Sequence, residues 1–146
     1  MLKYERAARR KGFRFVLGVD EAGRGPLAGP VVAAAVALKT HRFHSQIRDS
    51  KKISAGRREE AFYEIFQKAY VGVGLINEAV IDRDNILQAT FWAMTNAVYG
   101  VMARIPPEAF GGRDPGEQIY LLVDGKYFRS DLTCPYQAIT GGDNAS

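Results

Sequence analysis

Two adjacent carboxylates, Asp20 and Glu21, follow an apolar run and precede a turn rich in glycine and proline. Side chains alternate between the two faces of a strand, so such a pair at a strand end predicts carboxylates that diverge around one divalent-metal cluster. Oxygen ligands favour Mg²⁺ or Mn²⁺ over Zn²⁺. Gly23 and Gly25 allow backbone N–H groups to approach an anion, and the guanidinium of Arg24 fits a phosphate. The pattern indicates phosphoryl-transfer chemistry; an acidic hairpin turn without chemistry is the alternative.

Two later aspartates repeat this arrangement. Asp124 ends the apolar run 119–123 and precedes Gly125, and Asp143 follows the short run 136–140 and two glycines. Each aspartate by itself could be a turn former or a helix N-cap. Three acidic strand ends in one chain favour a shared metal site.

The elements that position these residues follow from hydrophobic periodicity. Apolar alternation and continuous apolar runs predict strands at 13–20, 31–38, 70–76, 119–123 and 136–140. Apolar residues at spacings of three and four predict helices over 54–69 and 85–104, after a short basic helix at 3–12. The short turn between the first two strands predicts an antiparallel central pair, and helical crossovers allow later parallel strands. The sequence therefore predicts an α/β domain with a mixed five-stranded sheet flanked by helices.

Four details are also expected from the pattern. The first two strands lack polar alternation, which predicts burial on both faces. The stripe of Phe62, Ile65, Phe66 and Ala69 predicts a core-facing side of the second helix. Glycines at 72 and 74 predict a weakened third strand open to a bulge. Residues 105–118 hold three of the six prolines, which predicts an irregular surface insertion.

Composition narrows the class of protein. A chain of 146 residues suits one domain spanning 1–146, and a net charge of +4 permits binding to nucleic acid through phosphate attraction. The single cysteine, Cys134, excludes an intramolecular disulfide and favours a reducing, cytoplasmic setting. Neither a secretory signal nor an apolar run of membrane-spanning length is visible, so no membrane partner is expected.

Three other polar patterns have simple structural explanations. His41 and His44 have the spacing of metal ligands on a helix, but without a matching third ligand they are better explained as solvated loop residues. Ser50 and Lys51 lie in a polar string that suits an exposed turn. Asn85 precedes an apolar helix and suits an N-cap.

The run GVDEAGRGPLAGPVV at 18–32 resembles the signature of ribonuclease HII, and stretches at 49–52, 85–90 and around Asp124 and Asp143 match that family in the same order. The resemblance implies a ribonuclease H-like fold. It implies a two-metal site for Mg²⁺ or Mn²⁺ whose ligands are Asp20, Glu21, Asp124 and Asp143. It also implies substrate contacts from Gly23, Arg24, Gly25, Ser50, Lys51 and Asn85.

The same resemblance implies an activity. Members hydrolyse the RNA strand of RNA–DNA hybrids and cut at ribonucleotides embedded in duplex DNA, leaving a 3′-hydroxyl and a 5′-phosphate. The expected partners are these nucleic acids, and the expected state is a monomer. The family continues beyond Ser146 with further helices, so a C-terminally truncated chain is expected here. A catalytically impaired nucleic-acid-binding fragment is therefore the alternative.

Overall fold

A computed structural model describes residues 2–22, 29–45, 47 and 52–140 of the chain. Its helices are α1 (Leu2–Arg10), α2 (Ala55–Lys68), α3 (Glu78–Asp84), α4 (Ile86–Arg104) and the single turn α5 (Pro115–Gln118). Its strands are β1 (Phe15–Ala22), β2 (Val31–Leu38), β3 (Ala69–Ile76), β4 (Ile119–Asp124) and β5 (Tyr136–Ile139). None of the helices in these ranges has the length and apolar character that a membrane span requires.

The five strands form one mixed sheet in the order β3-β2-β1-β4-β5. The β1–β2 and β2–β3 pairs are antiparallel, whereas β1–β4 and β4–β5 are parallel. A short segment of the chain joins the antiparallel strands β1 and β2. The longer segment between β3 and β4 contains α3 and α4. The predicted α/β class, the five-stranded mixed sheet and the antiparallel central pair are confirmed.

Helix α4 covers one face of the sheet and forms the core with it. Its Phe91, Met94, Val98 and Val101 are buried, as the spacing of apolar residues predicts. They pack on alternate strand residues, and burial of each large apolar side chain contributes about 1.5–3 kcal/mol. The strand members of this core are Leu17, Val19, Val31, Ala33, Ala35, Ala37, Ile119, Leu121 and Val123.

The third strand is regular, so the expected bulge is wrong. Gly72 and Gly74 pair in register with Ala35 and Ala33 of β2. A Cβ on Gly72 would clash with the carbonyl oxygen of Ala97, and one on Gly74 with that of Ala93. These two glycines therefore let the backbone of α4 lie directly on β3, which side chains at either position would prevent.

The opposite face of the sheet is only partly covered, so the expected two-sided burial is also wrong. On β2 the residues facing α4 are buried, but Ala34 between them is exposed. On β3 the side chains of Val73 and Leu75 are 57% and 58% exposed. The run of small apolar residues in β2 thus reflects close packing against one helix.

The prediction that one stripe of α2 faces the core is partly wrong. Phe62 and Phe66 are 53% and 47% exposed, and Ala61 is the residue of α2 that is buried. The two aromatic rings instead contact each other, with centroids 4.6 Å apart. A small residue at the contact lets α2 approach the fold while its larger neighbours stay outside.

The segment 105–118 contributes to the core, which the pattern of prolines does not show. Ile105 and Phe110 are buried at either end of a 3₁₀ turn, Pro107–Phe110. Gln118 is also buried, and its side-chain amide donates to the carbonyl of Phe110 at 2.6 Å. The segment is therefore a folded connection that closes one end of the core.

Candidate active site

Asp20 and Asp124 are brought together by the register of two parallel strands. Val19 of β1 pairs with Val123 of β4, and each aspartate is the next residue of its strand. Paired positions on neighbouring strands share a face, so the two aspartates lie side by side on the sheet. The two aspartates, far apart in the sequence, therefore lie on adjacent strands of the sheet.

Glu21 projects from the other face, as alternation along a strand requires. Its backbone N–H donates to Oδ1 of Asp20 at 2.8 Å, which orients the aspartate at the strand end. Asp20 is exposed, whereas Glu21 and Asp124 are half-buried. The two adjacent carboxylates therefore diverge, as expected from the sequence.

A cleft of about 270 Å³ lies between these strand ends and α4. Glu21 and Asp124 border it on the sheet side, and mostly apolar residues of α4 form the opposite wall. The α4 residues are Leu87, Thr90, Phe91 and Met94. The cleft thus combines carboxylates at its rim with an apolar wall, which is a common form for a catalytic site.

Among the cleft residues that the sequence does not predict, two that follow β4 carry polar groups. Lys126 and Tyr127 follow Asp124 and Gly125 and line the same cleft. The ring of Tyr127 contacts that of Phe91 with centroids 5.5 Å apart, and 55% of the tyrosine is exposed. Lys126 adds a positive charge beside the carboxylates. Its position two residues after an acidic strand end is the signal that could have identified it.

The donor chemistry of the strand ends suits a hard divalent cation, because Asp20, Glu21 and Asp124 offer only carboxylate oxygens. Over residues 2–22, 29–45, 47 and 52–140, however, no three histidine, cysteine, aspartate or glutamate side chains lie close enough together to hold a metal ion. The predicted fourth ligand, Asp143, lies outside the described residues, beyond the end of β5. The donor atoms of Asp20, Glu21 and Asp124 therefore suit Mg²⁺ or Mn²⁺. The predicted ligand set also includes Asp143.

Five other predicted substrate contacts also lie outside the described residues. They are Gly23, Arg24, Gly25, Ser50 and Lys51. Ala22, the last described residue before them, ends β1 and pairs with Val32 of β2. In the sequence, Ala22 alone separates the carboxylate pair from the predicted phosphate cradle.

Asn85 joins two helices. Its side-chain oxygen accepts the N–H of Gln88 at 3.0 Å and so caps α4, while its own N–H donates to Ile81 in the last turn of α3. Its φ of 84° is a left-handed conformation that asparagine tolerates better than most residues. The capping explanation is therefore confirmed, and a substrate contact by Asn85, two residues before Leu87 of the cleft, stays a prediction.

A carboxylate on α2 holds the loop that leads towards Ser50 and Lys51. Glu64 accepts the backbone N–H groups of His44 and Ser45, each at 2.7 Å, and the ammonium of Lys68 at 2.6 Å. Lys68 also donates to the carbonyl of Arg42 at 2.7 Å. The ammonium of Lys68 and the two backbone N–H groups hold the pKa of Glu64 well below its usual range. This clasp of Glu64 and Lys68 was not expected from the sequence.

The histidines of that loop behave as expected for solvated residues. His41 and His44 are both exposed. Nδ1 of His41 lies 3.9 Å from a carboxylate oxygen of Glu5 on α1. The pair therefore borders the surface between α1 and the clasp.

Comparison with known proteins places this arrangement in a family. The family model described as Ribonuclease HII matches residues 17–108. Ribonuclease HII of Azorhizobium caulinodans is 46% identical over 141 residues, which cover 97% of this chain and 49% of the relative. Ribonuclease HII of Syntrophus aciditrophicus is 46% identical over 144 residues, covering 98% of this chain and 61% of the relative. The chain thus spans about half to three-fifths of the length of these relatives.

Solved structures agree on the fold. The chain resembles the RNase HII of the PCNA:RNase HII complex from Archaeoglobus fulgidus, with a TM-score of 0.58 and 22% identity over 90% of this chain and 65% of that chain. It resembles Bst-RNase HIII in complex with Mn²⁺ with a TM-score of 0.63 and 18% identity, over 94% of this chain and 49% of that one. At these identities the likeness shows a ribonuclease H-type fold.

Proposed function

The chain belongs to the ribonuclease HII family, and we propose that it carries the catalytic carboxylates of an endonuclease that hydrolyses the RNA strand of RNA–DNA hybrids. The proposed activity includes cutting at ribonucleotides embedded in duplex DNA, leaving a 3′-hydroxyl and a 5′-phosphate. One observation carries the proposal: Asp20 and Asp124 lie side by side near the ends of adjacent parallel strands, and Glu21 and Asp124 line one cleft there.

In this proposal Asp20, Glu21, Asp124 and Asp143 hold Mg²⁺ or Mn²⁺ in a two-metal site. The carboxylate donors support the assignment, and the Mn²⁺ complex of Bst-RNase HIII shows that a protein of similar fold takes this ion. When bound, such ions would lower the pKa of an attacking water and stabilise the negative charge on the leaving 3′ oxygen. The bond from Glu21 N–H to Asp20 keeps one carboxylate oriented at the strand end before substrate arrives.

The substrate would lie across the strand ends. Gly23, Arg24 and Gly25 would contact the backbone near the ribonucleotide, where the 2′-hydroxyl distinguishes RNA from DNA. Ser50, Lys51 and Asn85 would contact flanking phosphates or sugars. Lys126 at the rim of the cleft adds a further positive charge for a phosphate.

We further propose that residues 1–146 belong to one catalytic domain that acts as a monomer in the cytoplasm. A reducing compartment suits Cys134, the single cysteine. Burial raises the pKa of this thiol to about 11, which keeps it protonated and unreactive near neutral pH.

The deciding experiment incubates the chain with a DNA duplex that carries one embedded ribonucleotide, with and without Mg²⁺ or Mn²⁺. The variants are Asp20→Asn and Asp124→Asn, and the matched control is Asp82→Asn, the same change at an exposed position of α3. Metal-dependent cutting at the ribonucleotide, lost in the first two variants and kept in the control, is expected. Binding of the duplex by the folded chain without cutting would instead support a nucleic-acid-binding fragment.

A further inference from the structure

A second cleft, which we call the outer cleft, lies on the solvent side of α4. Its volume is about 460 Å³, within the range of small-ligand sites. Trp92 and Tyr99 of α4 line it together with Arg129 and Asp131 of the loop after β4. The described residues around it include no histidine or cysteine, so its chemistry does not suit a transition metal.

The residues of α4 that line this cleft form one stripe along the helix. Gln88, Trp92, Asn96 and Tyr99 are spaced by four, four and three residues, which places them on one side of α4. Trp92 and Tyr99 are 36% and 46% exposed, so part of each ring is open to solvent. Two aromatic surfaces therefore lie about two helical turns apart, with an amide one turn to either side of the tryptophan.

These residue types match the chemistry of an unpaired nucleic-acid strand. Exposed aromatic rings stack on bases of any sequence, and side-chain amides can hydrogen-bond base edges. Arg129 supplies a planar cation for a phosphate, while Asp131 repels phosphate and can accept from an exocyclic amino group. A lipid would require a continuous apolar lining, which this mixture of amides and charges does not provide.

The outer cleft also lies next to the cleft of about 270 Å³ at the strand ends, which we call the catalytic cleft. Leu87 and Phe91 line the catalytic cleft, as does Met94. Gln88 and Trp92, which directly follow Leu87 and Phe91, line the outer cleft. One residue along a helix rotates a side chain by about 100°, so the two clefts occupy neighbouring sides of α4. The loop after β4 joins them in the same way, with Lys126 in the first and Arg129 in the second.

We propose that the outer cleft binds a short unpaired segment of a nucleic-acid strand, with bases stacked on Trp92 and Tyr99 and the backbone held by Arg129. The inference rests on the proposed function for its ligand class, nucleic acid, and on the loop after β4, which lines both clefts. It assigns to α4 a second role, which is to hold single-stranded nucleic acid beside the cutting site.

Trp92 is the only tryptophan of the chain, so its fluorescence reports on this cleft alone. The test titrates the whole chain with oligo(dA), without divalent metal, and compares an abasic oligonucleotide of equal length and charge. We expect oligo(dA) to quench Trp92 and to bind about tenfold more tightly than the abasic strand, the scale of one stacked base. Equal binding of the two strands, or an unchanged emission, would overturn the proposal.

Variants separate this cleft from general charge attraction. Tyr99→Leu and Arg129→Gln should each weaken oligo(dA) binding about tenfold. The matched controls, Tyr63→Leu on α2 and Arg113→Gln, change exposed residues outside both clefts and should bind as the unmodified chain does. Equal loss in variants and controls would contradict the assignment. The binding assay does not depend on cleavage. If the chain cuts its substrate but oligo(dA) does not quench Trp92, the proposed function stands and only this inference fails.

Discussion

Asp20 and Asp124 are neighbours across two parallel strands, although about 100 residues separate them in the chain. The link between them is the register of β1 and β4, in which Val19 pairs with Val123. That register in turn depends on α4, because the same strand residues that set it are buried against this helix. The candidate site is therefore a product of core packing.

Metal binding should depend on each strand-end carboxylate. Asp20→Asn and Asp124→Asn each remove a charged oxygen ligand, so we expect Mn²⁺ affinity, measured by titration calorimetry, to fall about tenfold or more. Asp82→Asn should leave the affinity unchanged, since that residue lies on α3. Equal Mn²⁺ affinity in all four proteins would show that the ion binds elsewhere.

Glu64 should make stability depend on acid pH. Its pKa is lowered in the folded chain by Lys68 and by two backbone N–H groups, so its contribution is fully present above the ordinary glutamate pKa of about 4.3. That contribution is lost as pH falls from there towards the lower folded pKa. Glu64→Gln should therefore lower the melting temperature at neutral pH, and the gap to the unmodified chain should narrow in acid. Glu60→Gln, an exposed change on the same helix, should show neither effect.

The close approach of α4 to β3 should make two glycines intolerant of a methyl group. Gly72→Ala and Gly74→Ala would force backbone apart, and we expect each to reduce the free energy of unfolding by about 3 kcal/mol in urea denaturation. Gly18→Ala on the same sheet meets no atom within 4 Å and should change stability by less than about 1 kcal/mol. A Gly72→Ala protein as stable as the Gly18→Ala control would rule out this packing.

Asn85 offers a way to separate capping from substrate contact. Asn85→Ala removes the cap of α4 at a left-handed position, so we expect a loss of about 1–2 kcal/mol. Asn85→Gly accepts the same backbone conformation and should cost only a few tenths of a kcal/mol. If Asn85 also contacts substrate, the glycine variant keeps its stability but has a raised KM. An unchanged KM in that variant would limit Asn85 to its capping role.

Strong local patterns predicted much of this fold. The spacing of apolar residues in α4 and the apolar runs of β1, β2 and β4 each have one dominant period, and these elements form where expected. Helix α3 was not expected, because seven residues with no buried side chain leave no apolar stripe to recognise. Phe62 and Phe66 lie outside the core that their spacing predicts, because periodicity identifies a stripe without showing what covers it.

The sequence by itself determined the acidic strand ends, the glycine turn beside them and the family to which they belong, because these are short-range features of residue type and spacing. Only the tertiary structure decided that Glu21 and Asp124 share a cleft, that Lys126 and Tyr127 enter it, and that Glu64 holds the loop before Ser50. It also decided that Gly72 and Gly74 serve helix contact and that α4 presents a second cleft beside the first. Such relationships depend on which surfaces meet once the core is buried, and chain spacing alone does not contain that information.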